Sequence, residues 1–157
     1  MALGPTLKAE HVGYVPLLDR LAGRSTTNTT DLNGLCRSVE RELHVLLNTR
    51  CPVPQEELAR RPVRTVLEYG LPDLSNHFTT DELDHDALAV SARDAITIYE
   101  PRLADVHVKV VSFDRLSQTL ALSVSGNLRL ESLVEPITVE IPIGGNFGSN
   151  SSDTNAH

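Results

Sequence analysis

The chain has no tryptophan and only 4% aromatic residues in 157, so it lacks the stacking material of a sugar-binding cleft or of a single-stranded nucleic-acid platform. Positive charge is short as well. The formal net charge is -7, from 14 Lys and Arg against 21 Asp and Glu. With the cations scattered among acids, the basic stripe of a phosphate-tracking protein is missing, and nucleic acid is not an expected partner. Cysteine is limited to Cys36 and Cys51, which form no CxxC and no His-spaced signature, so no zinc site is expected. No apolar run approaches the roughly eighteen residues of a membrane span, and the start MALGPTLKAEHVGYVPLL lacks the charged region and unbroken apolar stretch of a signal peptide. The expectation is a cytosolic protein with reduced thiols and no membrane insertion.

What is present is apolar periodicity. The length fits one domain that buries about two thirds of its unfolded surface and needs no disulfide. Residues 1–30 read as a flexible N-terminal arm and linker: Leu17 to Leu21 is a short apolar turn, and the polar run Ser25 to Thr30 opposes helix by competing for backbone hydrogen bonds. From Asp31, apolar residues at Leu32, Leu35, Val39, Leu43, Leu46 and Leu47 predict an amphipathic helix, with Thr30 or Asp31 as N-cap and Asn48 as C-cap. Pro52 and Pro54 end it. A short helical turn before Pro62, a brief strand or turn over Val63 to Leu67, and a turn with Gly70 at positive φ follow. Arg50 and Asp73 are read as structural residues, Arg50 tying the helix end to another segment.

Thr79 and Glu82 form a capping box that starts a second helix at about Thr80. Its stripe is Leu83, Ala87, Leu88, Ala92, Ala95, Ile96 and Tyr99. The acids from Asp81 to Asp86, with His77 and His85, invite a metal reading. Acids in a first helical turn are better explained by the macrodipole, and consecutive residues face different ways, so no metal site is assigned.

The stretch Ala95 to Val110 turns helix into strand at Glu100-Pro101-Arg102. Pro101 has no N–H and disfavours helix at Glu100. Glu100 and Arg102, two apart, project to the same side if the chain is extended there. Two readings stand. One is a surface ion pair worth about 0.2–1 kcal/mol, whose loss leaves the fold intact. The other is a docking point at which Arg102 forks onto a partner's oxygens and Glu100 accepts from partner donors. Beyond it, Val106 to Val110, Leu120 to Val124 and Ile137 to Ile141 alternate, with turns at Asp114 to Gln118 and around Gly126-Asn127. Leu128 and Leu130 either extend the second strand or form a separate one. The fold class is α+β: two main amphipathic helices packed on one face of a small antiparallel three- to four-stranded sheet. The domain is expected over 31–143, with a disordered tail over 144–157.

Catalysis finds little support. Glycoside hydrolysis needs an acid and a second carboxylate across a cleft. Glu100 has an arginine as its neighbour, the wrong one for a general acid, and no second carboxylate stands out. No GxSxG elbow occurs, and neither cysteine has an identifiable His or Asp partner. No catalytic, cofactor-binding or metal residue is assigned, and no small-molecule substrate.

Three motifs in order, Leu46-Leu47-Asn48-Thr49-Arg50, Val66 to Asp73 (VLEYGLPD), and Ala95-Ile96 followed by Tyr99-Glu100-Pro101-Arg102-Leu103, make the chain resemble the TssE family of type VI secretion baseplate subunits. That family is related to the wedge protein of contractile phage tails once labelled lysozyme-like. The likeness covers about Pro16 to Ile141; Glu68 stands where the family commonly has Asn, and Tyr99 where Phe is commoner. The resemblance implies a non-catalytic baseplate wedge component, cytoplasmic within a membrane-docked baseplate. Its implied partners are TssF, TssG and TssK, together with the sheath subunits TssB and TssC, which assemble from its sheet by strand pairing. It also implies that Glu100, Pro101 and Arg102 bind a partner. The alternatives are a wedge subunit of a phage tail or other contractile injection system and, in a different class, a lysozyme-like hydrolase.

Overall fold

A computed structural model describes residues 13–14, 20–23, 29–73, 82–130 and 133–144. Within the stretch expected as arm and linker, two short strands, β1 (Gly13–Tyr14) and β2 (Thr29–Thr30), pair antiparallel. Helix α1 (Leu32–Asn48) starts at Asp31, not Thr30, because the Asp31 carboxylate accepts from the Gly34 N–H at 2.8 Å. Its periodic face is buried through Leu35, Val39, Leu43, Leu46 and Leu47. Asn48 is the last helical residue and does not cap. Its side chain donates to the carbonyls of His44 and Pro142, both at 3.0 Å, tying the helix end to the sheet.

The short helix α2 (Gln55–Leu58) and a 3₁₀ turn (Val66–Glu68) follow. The expected strand or turn over Val63 to Leu67 becomes this turn, with Val63, Val66 and Leu67 exposed. Gly70 has φ +108°, and a β-carbon there would sit 2.3 Å from the Thr49 carbonyl oxygen. The close approach lets Leu71 donate to Thr49 at 2.9 Å and accept from Cys51 at 2.7 Å, one rung of parallel bridge that joins the end of α1 to the loop.

Helix α3 (Glu82–Tyr99) buries Leu88, Ala92, Ala95 and Ile96. Leu83 and Ala87, expected on that stripe, are exposed; they lie on the opposite side of the helix from Ala92 and Ile96. The capping box at Thr79 and the start at Thr80 lie outside the described residues, as do the apolar turn from Leu17 to Asp19 and the tail over 145–157.

Three strands of 12 residues each, β3 (Leu103–Asp114), β4 (Thr119–Leu130) and β5 (Leu133–Gly144), form an antiparallel sheet in the order β3-β4-β5. Each runs beyond the alternating run read from the sequence. Gly126 is not at a turn. It pairs with Ile137 inside β4, and a β-carbon there would lie 2.8 Å from the Ala104 carbonyl oxygen, so glycine admits the close approach of β3. One sheet face carries Leu120, Leu122, Val124, Leu128, Ile141 and Ile143, all buried. Helix α3 covers it along β3 and α1 along β5, giving the expected helices on one side of an antiparallel sheet. No helix among the described residues is long and apolar enough to cross a membrane.

Candidate functional site

The point where α3 becomes β3 is a hydrogen-bonded turn, not the extended segment the i, i+2 spacing implied. Glu100 N–H closes the helix onto the Ile96 carbonyl at 2.8 Å, and the Glu100 carbonyl accepts from Leu103 N–H at 3.1 Å. The turn still brings the two charges together. Arg102 Nε donates to Glu100 Oε1 at 2.7 Å, Nη2 to Oε2 at 2.5 Å, and the Arg102 backbone N–H to Oε1 at 3.2 Å.

The expected surface pair is instead an internal one. Glu100 is 2% exposed, and the Arg102 side chain 24%. Arg102 reaches across to α1, where Nη1 donates to Ser38 Oγ at 3.4 Å and Nη2 meets Glu42 at 3.1 Å. Its carbonyl accepts from Arg129 N–H at 2.8 Å, so β4 is tied in too. The guanidinium therefore joins α1 to the end of α3, and the backbone carbonyl of the same residue joins both to the sheet. A buried carboxylate is tolerable because a forked cation satisfies it. Pro101, between them, is exposed. Both Glu100 oxygens accept from Arg102, the partner that favours the charged carboxylate.

A second polar cluster abuts this one. Glu68, 3% exposed in the 3₁₀ turn, accepts from Thr65 N–H at 2.6 Å, from Thr65 Oγ1 at 2.8 Å and from Arg61. Bonds from the Thr65 backbone and hydroxyl, with the Arg61 charge, hold its carboxyl below the usual range. Tyr99 links the clusters: its hydroxyl donates to the Thr65 carbonyl at 2.7 Å, and its ring meets that of Tyr69 edge-on at 5.1 Å. Burial, with Glu42 and Glu100 nearby, pushes the Tyr69 phenol above its ordinary value. Ser38 and Glu42 carry no weight in the sequence reading, and Tyr69 enters it only as part of a motif. The available signal was Ser38, a polar residue on the same α1 face as Leu35 and Val39.

Arg50 and Asp73 meet at 3.5 Å with both side chains largely exposed. Among the described residues no three His, Cys, Asp or Glu side chains gather as a metal set. His85 lies edge-on to Phe113, with ring centroids 6.1 Å apart; His77 and Asp81 lie outside the described residues.

Comparison with known proteins bears on this arrangement at two levels. A chain of the structure titled "The baseplate complex from the type VI secretion system" superposes with a TM-score of 0.50 at 17% identity, covering 71% of this chain and 95% of that one, which is a likeness of fold. No curated protein matches. The family model for baseplate wedge protein gp25 matches residues 33–132, which span nearly all of α1, the loop with the Glu68 cluster, α3, the Glu100-Arg102 turn, β3 and β4. With well over half its length matched, the chain belongs to the gp25 baseplate wedge family.

Proposed function

We propose that this chain is the TssE-like wedge component of a type VI secretion baseplate, that it performs no catalysis, and that it works in the cytoplasm by holding TssF and TssG, near TssK, and offering its sheet to strands of the TssB and TssC sheath. The observation that carries the proposal is the three-stranded sheet with two long outer strands, neither of which has a second strand partner among the described residues. A free edge offers N–H and C=O groups to an incoming strand. Each outer strand is flanked by a surface groove against its helix. One of about 360 Å³ lies between α1 and β5 and includes Arg41, His44 and Glu140; one of about 440 Å³ lies between α3 and β3 and includes His85, Asp86 and Lys109. Such grooves would take the side chains of an added strand.

Both edges carry features that limit indiscriminate pairing. In β3 the register shifts twice, between Ala104 and His107 and between Val110 and Ser112; β5 contains Pro136 and Pro142, which have no N–H. An edge blunted in this way favours a matched strand over any strand. The pivot Glu100-Pro101-Arg102, at the start of β3, binds the wedge in this proposal. Glu100 and Arg102 brace the turn, and exposed Pro101 with the open side of Arg102 is the contact surface.

The test is co-purification of tagged full-length chain, wild type and Pro101→Asp, from cells making the complete machinery. Wild type should recover TssF, TssG, TssB and TssC. Pro101→Asp should lose TssF and TssG while keeping its Tm within a few degrees, since the substituted side chain is exposed. Recovery of no contractile subunit, together with peptidoglycan clearing that Glu100→Gln abolishes, would return the hydrolase reading.

A further inference from the structure

The 3₁₀ turn and the segment leading into it display Val63, Val66 and Leu67 at 73%, 85% and 73% exposure. Scattered exposed apolar residues are ordinary, but three within five positions, at and just before one turn, form a knob. The turn cannot fold inward to hide them. Thr65 Oγ1 accepts from Leu67 N–H at 3.2 Å, Glu68 clamps Thr65 from below, Tyr69 N–H reaches the Val66 carbonyl at 3.3 Å, and Tyr99 fixes the Thr65 carbonyl. A binding element already held in shape loses little freedom when a partner arrives.

The charge around the knob states the partner's chemistry. In a chain of net charge -7, residues 60–64 read RRPVR and hold no acid. Arg61 turns inward to Glu57 and Glu68. Arg60 and Arg64 have no ion-pair partner among the described residues, and they flank Val63 in the chain. Guanidinium groups beside an apolar knob receive carboxylates, each in fork geometry. A second copy of this chain would set the same arginines against one another in a two-fold contact. An anionic bilayer is disfavoured by the overall negative charge and by a patch of only three apolar side chains.

We infer that Val63, Val66 and Leu67, with Arg60 and Arg64 beside them in the chain, dock a segment of another baseplate subunit that presents an apolar stripe flanked by Asp and Glu. The inference rests on the baseplate assignment proposed above and adds a surface and a partner chemistry to it. The hydrogen bond from the Tyr99 hydroxyl to the Thr65 carbonyl joins the knob to the residue that precedes the pivot.

The experiment has two arms. Benzoylphenylalanine placed at Leu67 in the full chain, in cells making the whole baseplate, is irradiated and the cross-linked peptide sequenced. Affinity for the purified baseplate complex lacking this subunit is measured for wild type, Val66→Ser/Leu67→Ser and Arg60→Glu/Arg64→Glu. A cross-link to another baseplate subunit, at a peptide with apolar residues and flanking carboxylates, is expected. The serine pair should bind about tenfold more weakly. The glutamate pair should bind more weakly and lose the salt sensitivity seen with wild type. A cross-linked peptide from this chain or a second copy, a peptide without carboxylates, or wild-type affinity of the serine pair would overturn the inference. So would sedimentation of wild type, but not the serine pair, with phosphatidylglycerol vesicles. If wild type itself fails to join the complex, the baseplate reading falls; if wild type and the serine pair join equally, only the docking surface does.

Discussion

Glu68 and Glu100 are almost equally buried, and each meets an arginine. They hold different things. Glu68 is clamped within its own turn by Thr65 and Arg61, three and seven residues away. Glu100 is clamped by Arg102, which also touches Ser38 at a separation of 64 residues and Glu42 on the same helix. The local cluster shapes a surface; the other joins elements that meet only in the folded chain. Burial and pairing alike therefore do not define a role. What a buried pair does depends on whether its partners lie on one element or on several.

The largest effect expected from this contrast comes from Arg102→Ala. It leaves the Glu100 carboxylate buried without its cation and frees the contact to α1, a loss of about 3 kcal/mol by analogy with broken buried pairs. Glu100→Ala should cost less, because Arg102 is a quarter exposed and still meets Glu42. Urea denaturation of the two variants measures both. A loss under about 1 kcal/mol for Arg102→Ala would put the pair back among surface bridges and remove the contrast.

A smaller, pH-dependent effect belongs to Glu68. Its carboxyl is held below its ordinary value by Thr65 and Arg61. A lowered folded pKa means stabilisation that is complete above the unfolded carboxylate range and is lost as pH falls through the lowered value. Glu68→Gln should flatten that acid limb while leaving stability at neutral pH less affected than Arg102→Ala does. Thermal unfolding from neutral pH into acid compares the two proteins. Identical acid limbs would show that the clamp does not discriminate the charged form.

The elements were legible where burial follows a period. The α1 stripe from Leu35 to Leu47 and the alternation in β4 were visible because each has one face against the core. Leu83 and Ala87 misled because apolar type marks a stripe only when something covers it. The pivot was visible as a break at Pro101, yet its burial was not. Two charges at i, i+2 read as a surface pair until α1, distant in sequence, closes over them with Ser38 and Glu42. Gly126 was misplaced for a similar reason. Glycine marks a turn or a close approach equally well in one dimension, and only the neighbouring Ala104 carbonyl decides between them.

The smallest effect completes the contrast with a third pair. Arg50 and Asp73 also join distant segments, the end of α1 and the loop after Gly70, with a separation of 23 residues. Were long separation alone decisive, this pair would matter as much as the pivot. These side chains are 77% and 70% exposed and their contact is 3.5 Å, so water competes for both charges and salt screens them. The join itself is made by backbone: Leu71 N–H to the Thr49 carbonyl and Cys51 N–H to the Leu71 carbonyl. Arg50→Ala should therefore change stability by no more than about 0.5 kcal/mol, and by less in high salt. Measured by urea denaturation in low and high salt, a loss comparable to that of Arg102→Ala would mean that sequence separation outweighs burial, and the distinction drawn between Glu68 and Glu100 would rest on the wrong variable.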